Sequence, residues 1–437
     1  MNYALIVEIA VAALSALGSL LFLGYLLHTL ARAPRFSESL KELEIGKKKK
    51  FTSNARQVPA VSIIVTAKNE ERFIGRNLES LCSQVYPDLE IVVVDDSSRD
   101  RTKELALEFS SRDSRVRVLA ADEKPPGWVG KSWACWRGNE FAKGDLLLFM
   151  DADSVFERND AVESVVKYFE AMGYDMFSIS PRVNSGSIWS SSTLPIVSGA
   201  IDVLYPLSKV NDPSSERAYV FGTFILVRKK VYVAIGGHKA VRDRLVEDQA
   251  IAQRAKLSGY SLRVENGSGY LATDWEEEFS KIYSGLERVT STSIRSYGLV
   301  SILNAFLLFF LAIYPILFLA WGVCSVMLFP IADAFEIGAG IIASLVAMCS
   351  MLALAATELR RVVGRVGALP MLYPVGMLIF IAAIVTTTVK VAMGRGLEWK
   401  GALYRQARIE QMGKKRAAGP LLERHSTQSC SVSTRNS

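Results

Sequence analysis

Four stretches of this 437-residue chain, residues 4–31, 299–332, 337–357 and 366–389, are almost free of charge, and they restrict the chain to folds that place apolar helices in lipid. Each reaches roughly the 20 residues that a helix needs to cross a bilayer. The first carries only Glu8 and His28, and the other three carry no charged residue. With 50% hydrophobic residues, the chain is too apolar for a purely soluble enzyme of its length. The first stretch is expected to remain as an anchor. It lacks a Lys or Arg at its start, contains Glu8, and exceeds the roughly 7–15 apolar residues of a secretory signal.

Basic residues follow the first stretch at once, at Arg32, Arg35, Lys41 and Lys47 to Lys50. The positive-inside bias therefore puts the polar region, residues 32–295, in the cytoplasm of a multi-pass protein. The net charge of +7 is mostly topological, and a basic run beside a span is read as attraction to lipid headgroups and not to nucleic acid. The five cysteines have neither metal-site nor disulfide spacing, as expected of reduced thiols. At the far end, the connection with Asp333 and Glu336 reads as external and the one with Arg360, Arg361 and Arg365 as internal. Three crossings would then leave the basic tail, with Lys400, Arg405 and Arg408, outside. One C-terminal segment is therefore expected to be re-entrant or interfacial, and residues 299–332, interrupted by Pro315, are the candidate.

Within the polar region, strand patterns alternate with helix patterns. Residues 61–66 are apolar and β-branched, Lys68 to Glu71 break the run, and Ile74, Leu78 and Leu81 recur at helical spacing. The unit repeats: strand 90–94, polar turn 95–100, helix 102–109 and strand 116–119. Such alternation predicts an α/β domain with a parallel sheet, whose ligands sit beyond the carboxyl ends of the strands. Thr66 to Glu70, Asp95 to Ser97 and Asp151 to Asp153 should therefore share one crevice.

The strand 145–149 ends in Asp151-Ala152-Asp153, two carboxylates projecting to one side of an extended chain. They suit one hard cation or a sugar-phosphate, because burial of either acid unpaired is unfavourable by several kcal/mol. No dinucleotide fingerprint and no phosphate loop is present, which argues against dehydrogenases and NTPases. A turn-rich segment, Pro125 to Gly130, delivers Lys131 to a helix start, where it can meet a base or a phosphate. Further on, Gly236-Gly237-His238 precedes Glu247 and Asp248 in the first turn of a helix. Capping explains one acid there; two after a glycine-rich loop suggest a general base beside a neighbour that orients it. His238 is open between a packing role and contact with metal or phosphate.

Together, Val-Thr-Ala-Lys-Asn-Glu-Glu at 65–71, Val-Asp-Asp-Ser-Ser at 94–98, Gly-Lys-Ser-Trp-Ala at 130–134, Asp-Ala-Asp at 151–153 and Glu-Asp at 247–248 resemble the family 2 glycosyltransferases of GT-A fold. Pro-Pro-Gly-Trp-Val-Gly-Lys at 125–131, Gly-Gly-His at 236–238 and Trp-Lys-Gly at 399–401 look like the membrane-bound branch associated with hopanoid and carotenoid glycosylation. The resemblance implies that Thr66, Ala67, Glu70, Asp96, Lys131 and Asp151 bind a nucleotide-sugar. It also implies that Asp151 and Asp153 serve a divalent cation, Mg2+ or Mn2+, and that Asp248, with Glu247 beside it, takes the proton of an acceptor hydroxyl. Many relatives have proline where this chain has Ala67. The Gln/Arg-x-x-Arg-Trp motif of processive synthases is absent after Asp274, so single transfer to a lipid or isoprenoid acceptor is expected.

The implied organisation is an anchor at 1–31, a basic linker at 32–59, the GT-A domain at 60–275, an interfacial amphipathic helix at 276–298, transmembrane segments at 299–393 and a basic tail at 394–437. The competing readings are a polyprenyl-phosphate glycosyltransferase, in which Asp248 need not act as a base, and a non-catalytic membrane scaffold with a degenerate domain.

Overall fold

The computed structural model describes residues 3–47, 58–121, 123–297, 299–328, 334–395, 397–399 and 402–404. Ten strands build the polar region: β1 (Val61–Ala67), β2 (Leu89–Asp95), β3 (Val116–Ala120), β4 (Leu146–Asp151), β5 (Ser154–Phe156), β6 (Met176–Ser180), β7 (Arg182–Asn184), β8 (Ile225–Arg228), β9 (Leu262–Asn266) and β10 (Leu271–Asp274). Seven of them form one sheet in the order β3-β2-β1-β4-β8-β6-β9, in which only β8 runs against its neighbours. The remaining three form a small sheet, β5-β10-β7, hung on the end of β4.

The helices of this region are α2 (Phe36–Lys47), α3 (Ile74–Cys82), α4 (Thr102–Arg112), α5 (Gly130–Phe141), α6 (Ala161–Met172), α7 (Ile188–Leu204), α8 (Leu207–Val210), α9 (Lys229–Ala234), α10 (Glu247–Leu257) and α11 (Phe279–Tyr297). They follow from their apolar stripes. In α6, Val162, Val165, Val166 and Phe169 fall on one face and are buried, and Gly173 ends the helix at φ 69. Both faces of β1, β2 and β4 are covered, so these strands read as continuous apolar runs. One face packs against α3 and α6, the other against α5 and α10.

Residues 36–47 were expected within a basic linker, yet they form a helix. Phe36 is fully buried, with its ring edge-on to Tyr168 and Tyr270, and Leu40 is buried beside it. The apolar stripe of Phe36, Leu40 and Leu43 is masked in the sequence by the charges between its members.

The apolar stretches form α1 (Tyr3–Ala31), α12 (Leu299–Ala312), α13 (Tyr314–Leu328), α14 (Ala334–Val362) and α15 (Tyr373–Ala392). Four helical segments, Ile6–Ala31, Ala305–Ser325, Ile337–Val362 and Leu369–Ala392, are long and apolar enough to cross a membrane. Their outward residues include Leu21, Leu303, Phe306 and Ile342, each more than half exposed, as suits a surface facing lipid. The stretch 299–332 is broken at Ile313. Pro315 stands at the second position of α13, where its missing N–H leaves no hydrogen bond unmade.

The helix α7 joins the two parts. Although it lies in sequence between β7 and β8, it packs against α1, α14 and α15. The approach to α15 is so close that a Cβ on Gly376 would lie 1.8 Å from the Ser192 carbonyl oxygen. Gly376→Ala is expected to destabilise the protein by at least the roughly 1–3 kcal/mol of ordinary overpacking, because backbone and not a side chain stands in the way. A thermal melt in detergent that matches the parent protein would refute this.

Candidate active site

The register brings the predicted strand ends together. Thr66 is paired with Asp151 across β1 and β4, and Ala67 with Asp95 across β1 and β2. The turns after β1 and β2 are laced to each other. The Asn69 backbone N–H donates to Ser98 Oγ (3.0 Å), the Arg99 N–H to Asn69 Oδ1 (2.8 Å) and the Glu70 N–H to Thr102 Oγ1 (2.7 Å). Asn69 and Ser97 take left-handed backbone, φ 55 and 57, at these tight turns. Asp96 receives Lys68 Nζ at 3.2 Å and lies against the start of α5, where a Cβ on Gly130 would come within 2.5 Å of its Oδ2. A side chain in place of the glycine before Lys131 would thus displace the Asp96 carboxylate from this position.

Lys131 is the hub of the site. Its Nζ stands 2.8 Å from Asp151 Oδ1 and 3.0 Å from Glu247 Oε1, joining the end of β4 to the first turn of α10. Asp248 Oδ2 and Lys131 Nζ both face Gly222, and the Asp248 Oδ1 accepts from the Gln249 N–H at 2.7 Å. Burial opposes the Lys131 charge, but Asp151, Glu247 and Asp248 outweigh it and hold the ammonium well above its usual range. Burial alone would lift Glu247; the charges of Lys131 and Arg288 override it and keep that carboxyl below its ordinary value. Asp248 behaves in the opposite sense. Burial, then the neighbouring Glu247 charge, pushes it up to about 6 against Lys131 and Arg288. Two adjacent acids therefore differ in proton affinity.

The Asp151-Ala152-Asp153 turn is held from beneath by a residue that sequence reasoning passed over. Asn77, buried on α3, donates through Nδ2 to the carbonyls of Ser154 (2.6 Å) and Asp151 (3.3 Å). Asp153 Oδ1 accepts from Thr273 Oγ1 at 3.2 Å and Ser154 Oγ at 3.3 Å, which ties it to β10. Arg288, on α11, is a second such residue. Its Nη1 donates to the Leu245 carbonyl at 3.4 Å, and its charge acts on both Glu247 and Asp248. Its only sequence signal was the apolar periodicity of α11 around it.

His238 is a packing group. It is buried against Phe149 with ring centroids 4.8 Å apart, and its Nδ1 lies 2.9 Å from the Tyr232 hydroxyl. Burial lowers its pKa to about 4, so it stays neutral.

The family model for glycosyl transferase family 2 matches residues 62–247, the stretch that holds most of the mixed sheet, the acids at its strand ends and the acidic start of α10. Over 235 residues, the chain is 27% identical to the 4,4'-diaponeurosporenoate glycosyltransferase of Staphylococcus aureus (strain USA300), covering 53% of this chain and 61% of that protein. It thus matches less than two thirds of the length of such curated relatives. Among solved structures, a mannosyltransferase from Pyrobaculum calidifontis, in complex with GDP-Man and Mn2+, is similar with a TM-score of 0.49 at 16% identity, covering 89% of this chain and 97% of that one. Glucosyl-3-phosphoglycerate synthase from Mycobacterium tuberculosis, in complex with Mn2+, UDP and glucosyl-3-phosphoglycerate, gives 0.39 at 17% identity, covering 56% and 85%.

Proposed function

We propose that the protein is a membrane-anchored inverting glycosyltransferase that moves one sugar from a nucleotide-sugar, UDP-linked, to a hydroxyl of a lipid or isoprenoid acceptor, with its catalytic domain on the cytoplasmic face. The observation that carries this reading is the Lys131 bridge between Asp151 at a strand end and Glu247 beside Asp248. It sets a nucleotide-facing acid and a candidate base on opposite sides of one cation. The likeness to a carotenoid glycosyltransferase supports an apolar acceptor, and so does the packing of α7 and α11 onto apolar helices.

Thr66, Ala67, Glu70 and Asp96 line the strand ends where the nucleoside would lie. Asp248, kept as a carboxylate above pH 6, takes the proton of the acceptor hydroxyl as its oxygen attacks the anomeric carbon from the face opposite the departing diphosphate. Glu247 holds Lys131 and, through its own charge, raises the basicity of Asp248.

Divalent-cation sites of the nucleotide type use one or two carboxylates plus substrate phosphates. The donor set here fits that type. Asp151 and Asp153 are the candidate ligands, Asp151 is shared with Lys131, and among the described residues no group of three or more His, Cys, Asp or Glu is arranged so as to hold a metal ion by itself. The protein would thus hold Mg2+ or Mn2+ only with a diphosphate in place. When bound, the cation offsets charge on the departing diphosphate.

The test is nucleotide release and sugar transfer by the detergent-purified protein with a panel of UDP- and GDP-sugars, with Mn2+ or chelator. Release should require metal and fall on the order of 100-fold in Asp153→Ala. A protein that neither binds nor turns over any donor would be the scaffold.

A further inference from the structure

We infer that α15 does not cross the membrane: it is a re-entrant helix whose outer face lies against the acyl chains of the leaflet nearest the catalytic domain, and the chain beyond it lies on that domain's side. The chain is held by the domain just before α15 and again at the helix's far end. Before it, Gly364 abuts Arg182, Arg365 Nη2 donates to the Ser185 carbonyl at 3.1 Å, and Leu369 packs with Val183, Leu194 and Trp275. At its far end, Lys390 Nζ pairs with Glu287 of α11 at 2.6 and 2.8 Å, and the next residue, Arg288, donates to the Leu245 carbonyl just before α10. Between these ends, Gly376 meets Ser192 of α7, while Thr386 and Thr387 meet Tyr283 and Thr290 of α11 at 2.8 and 3.2 Å. An upright helix of this length would carry one end about 30 Å from the domain.

The depth profile agrees. The Tyr373 hydroxyl donates to the Ala312 carbonyl at 3.5 Å, and the adjacent Leu311 carbonyl accepts from Ser19 of α1. Ser19 lies about 18 Å before the end of α1 at 1.5 Å per residue, so α15 begins deep and rises back to the domain. By contrast, α1 and α14 run side by side in the same direction, with Gly340 near Ile9 at their starts. Both therefore cross, and α12 with α13 makes the return crossing between them.

Among the described residues, the face of α15 turned away from α7 and α11 carries Val375, Leu378, Val385 and Val389, each 40–50% exposed and all apolar. Three crossings also put every basic cluster, Arg32 and Arg35, Arg360 to Arg365, and the tail from Arg395, on one side, which removes the charge conflict of a fourth. The expected re-entrant segment, 299–332, is thus replaced by α15. The inference holds whether or not the protein transfers sugar.

The experiment uses the full chain with protease sites at the N-terminus, between Ser214 and Ser215 just after the exposed Pro213–Ser214 turn, and at the C-terminus, in oriented membrane vesicles. The C-terminal site should be cut with the 214–215 site while the N-terminal one stays protected; cutting with the N-terminal site overturns the proposal. Spin labels at Leu378→Cys and Val389→Cys supply a second reading. Both should sit in lipid, Leu378 deeper and Val389 near the headgroups of the domain-side leaflet; water at both, or Val389 in the opposite leaflet, refutes it.

Discussion

Asp248→Asn is expected to lower sugar transfer by about 10²–10⁴-fold, the usual range for loss of a positioned general base, while donor binding stays within a few-fold of the parent. Burial and the Glu247 charge set the carboxyl at about 6, so transfer by the parent protein should rise as pH climbs through about 6 and level above it. The linkage sign separates chemistry from folding. An acid whose folded pKa is raised from 3.8 makes the fold less stable as pH rises from about 4 to about 6. Replacing it by an amide removes that penalty and the repulsion with Glu247, so at pH 7 the variant should melt at or above the parent temperature. Isothermal donor titration, a pH–rate profile and a melting curve decide the matter. Full transfer by Asp248→Asn would remove the base and favour a phosphate acceptor, which needs no proton taken from it.

Much of this arrangement was legible in the sequence because it is local. The runs at 61–66, 90–94 and 145–149 are predominantly apolar, as strands covered on both faces are, and each leads into polar residues that the parallel register then aligns. What the sequence concealed depends on distant partners. Phe36 reaches the core across more than a hundred residues of chain, α7 has the composition of a membrane element inside the catalytic region, and Asn77 looks like one polar residue on a helix until Asp151 and Ser154 are found above it. The pairing of Lys131 is of the same kind. Its spacing suggested contact with base or phosphate; that its ammonium also stands between Asp151 and Glu247, the latter 116 positions away in sequence, is visible only in the fold. Hydropathy alone equally cannot distinguish α15 from a spanning helix, since its apolar residues suit either; only contacts at its two ends do.

Lys131→Met should produce the largest combined loss of stability and activity. It leaves Asp151, Glu247 and Asp248 facing one another without a counter-charge, and removal of one partner from a buried ion pair is typically unfavourable by about 3–5 kcal/mol. The Lys131 side chain is 30% exposed, so water recovers part of this, and about 3 kcal/mol is expected. The folded ammonium lies above the ordinary 10.5, so its own contribution is fully present below that value; the deficit should instead grow as pH climbs above about 6, where Asp248, deprived of the cation, resists ionising in the folded variant. Activity should fall further than stability accounts for. Without the cation, Asp248 holds its proton more tightly, and the rising limb of the pH–rate profile should move above 6. Lys131→Arg should restore most of the melting temperature but not the rate, because a planar guanidinium cannot replace a point charge between two carboxylates 2.8 and 3.0 Å away. Adding Glu247→Gln to Lys131→Met should recover stability by removing one unpaired charge, again without restoring transfer. A Lys131→Met protein with the parent's melting temperature and an unmoved pH limb would show that the ammonium does not hold this acid cluster together.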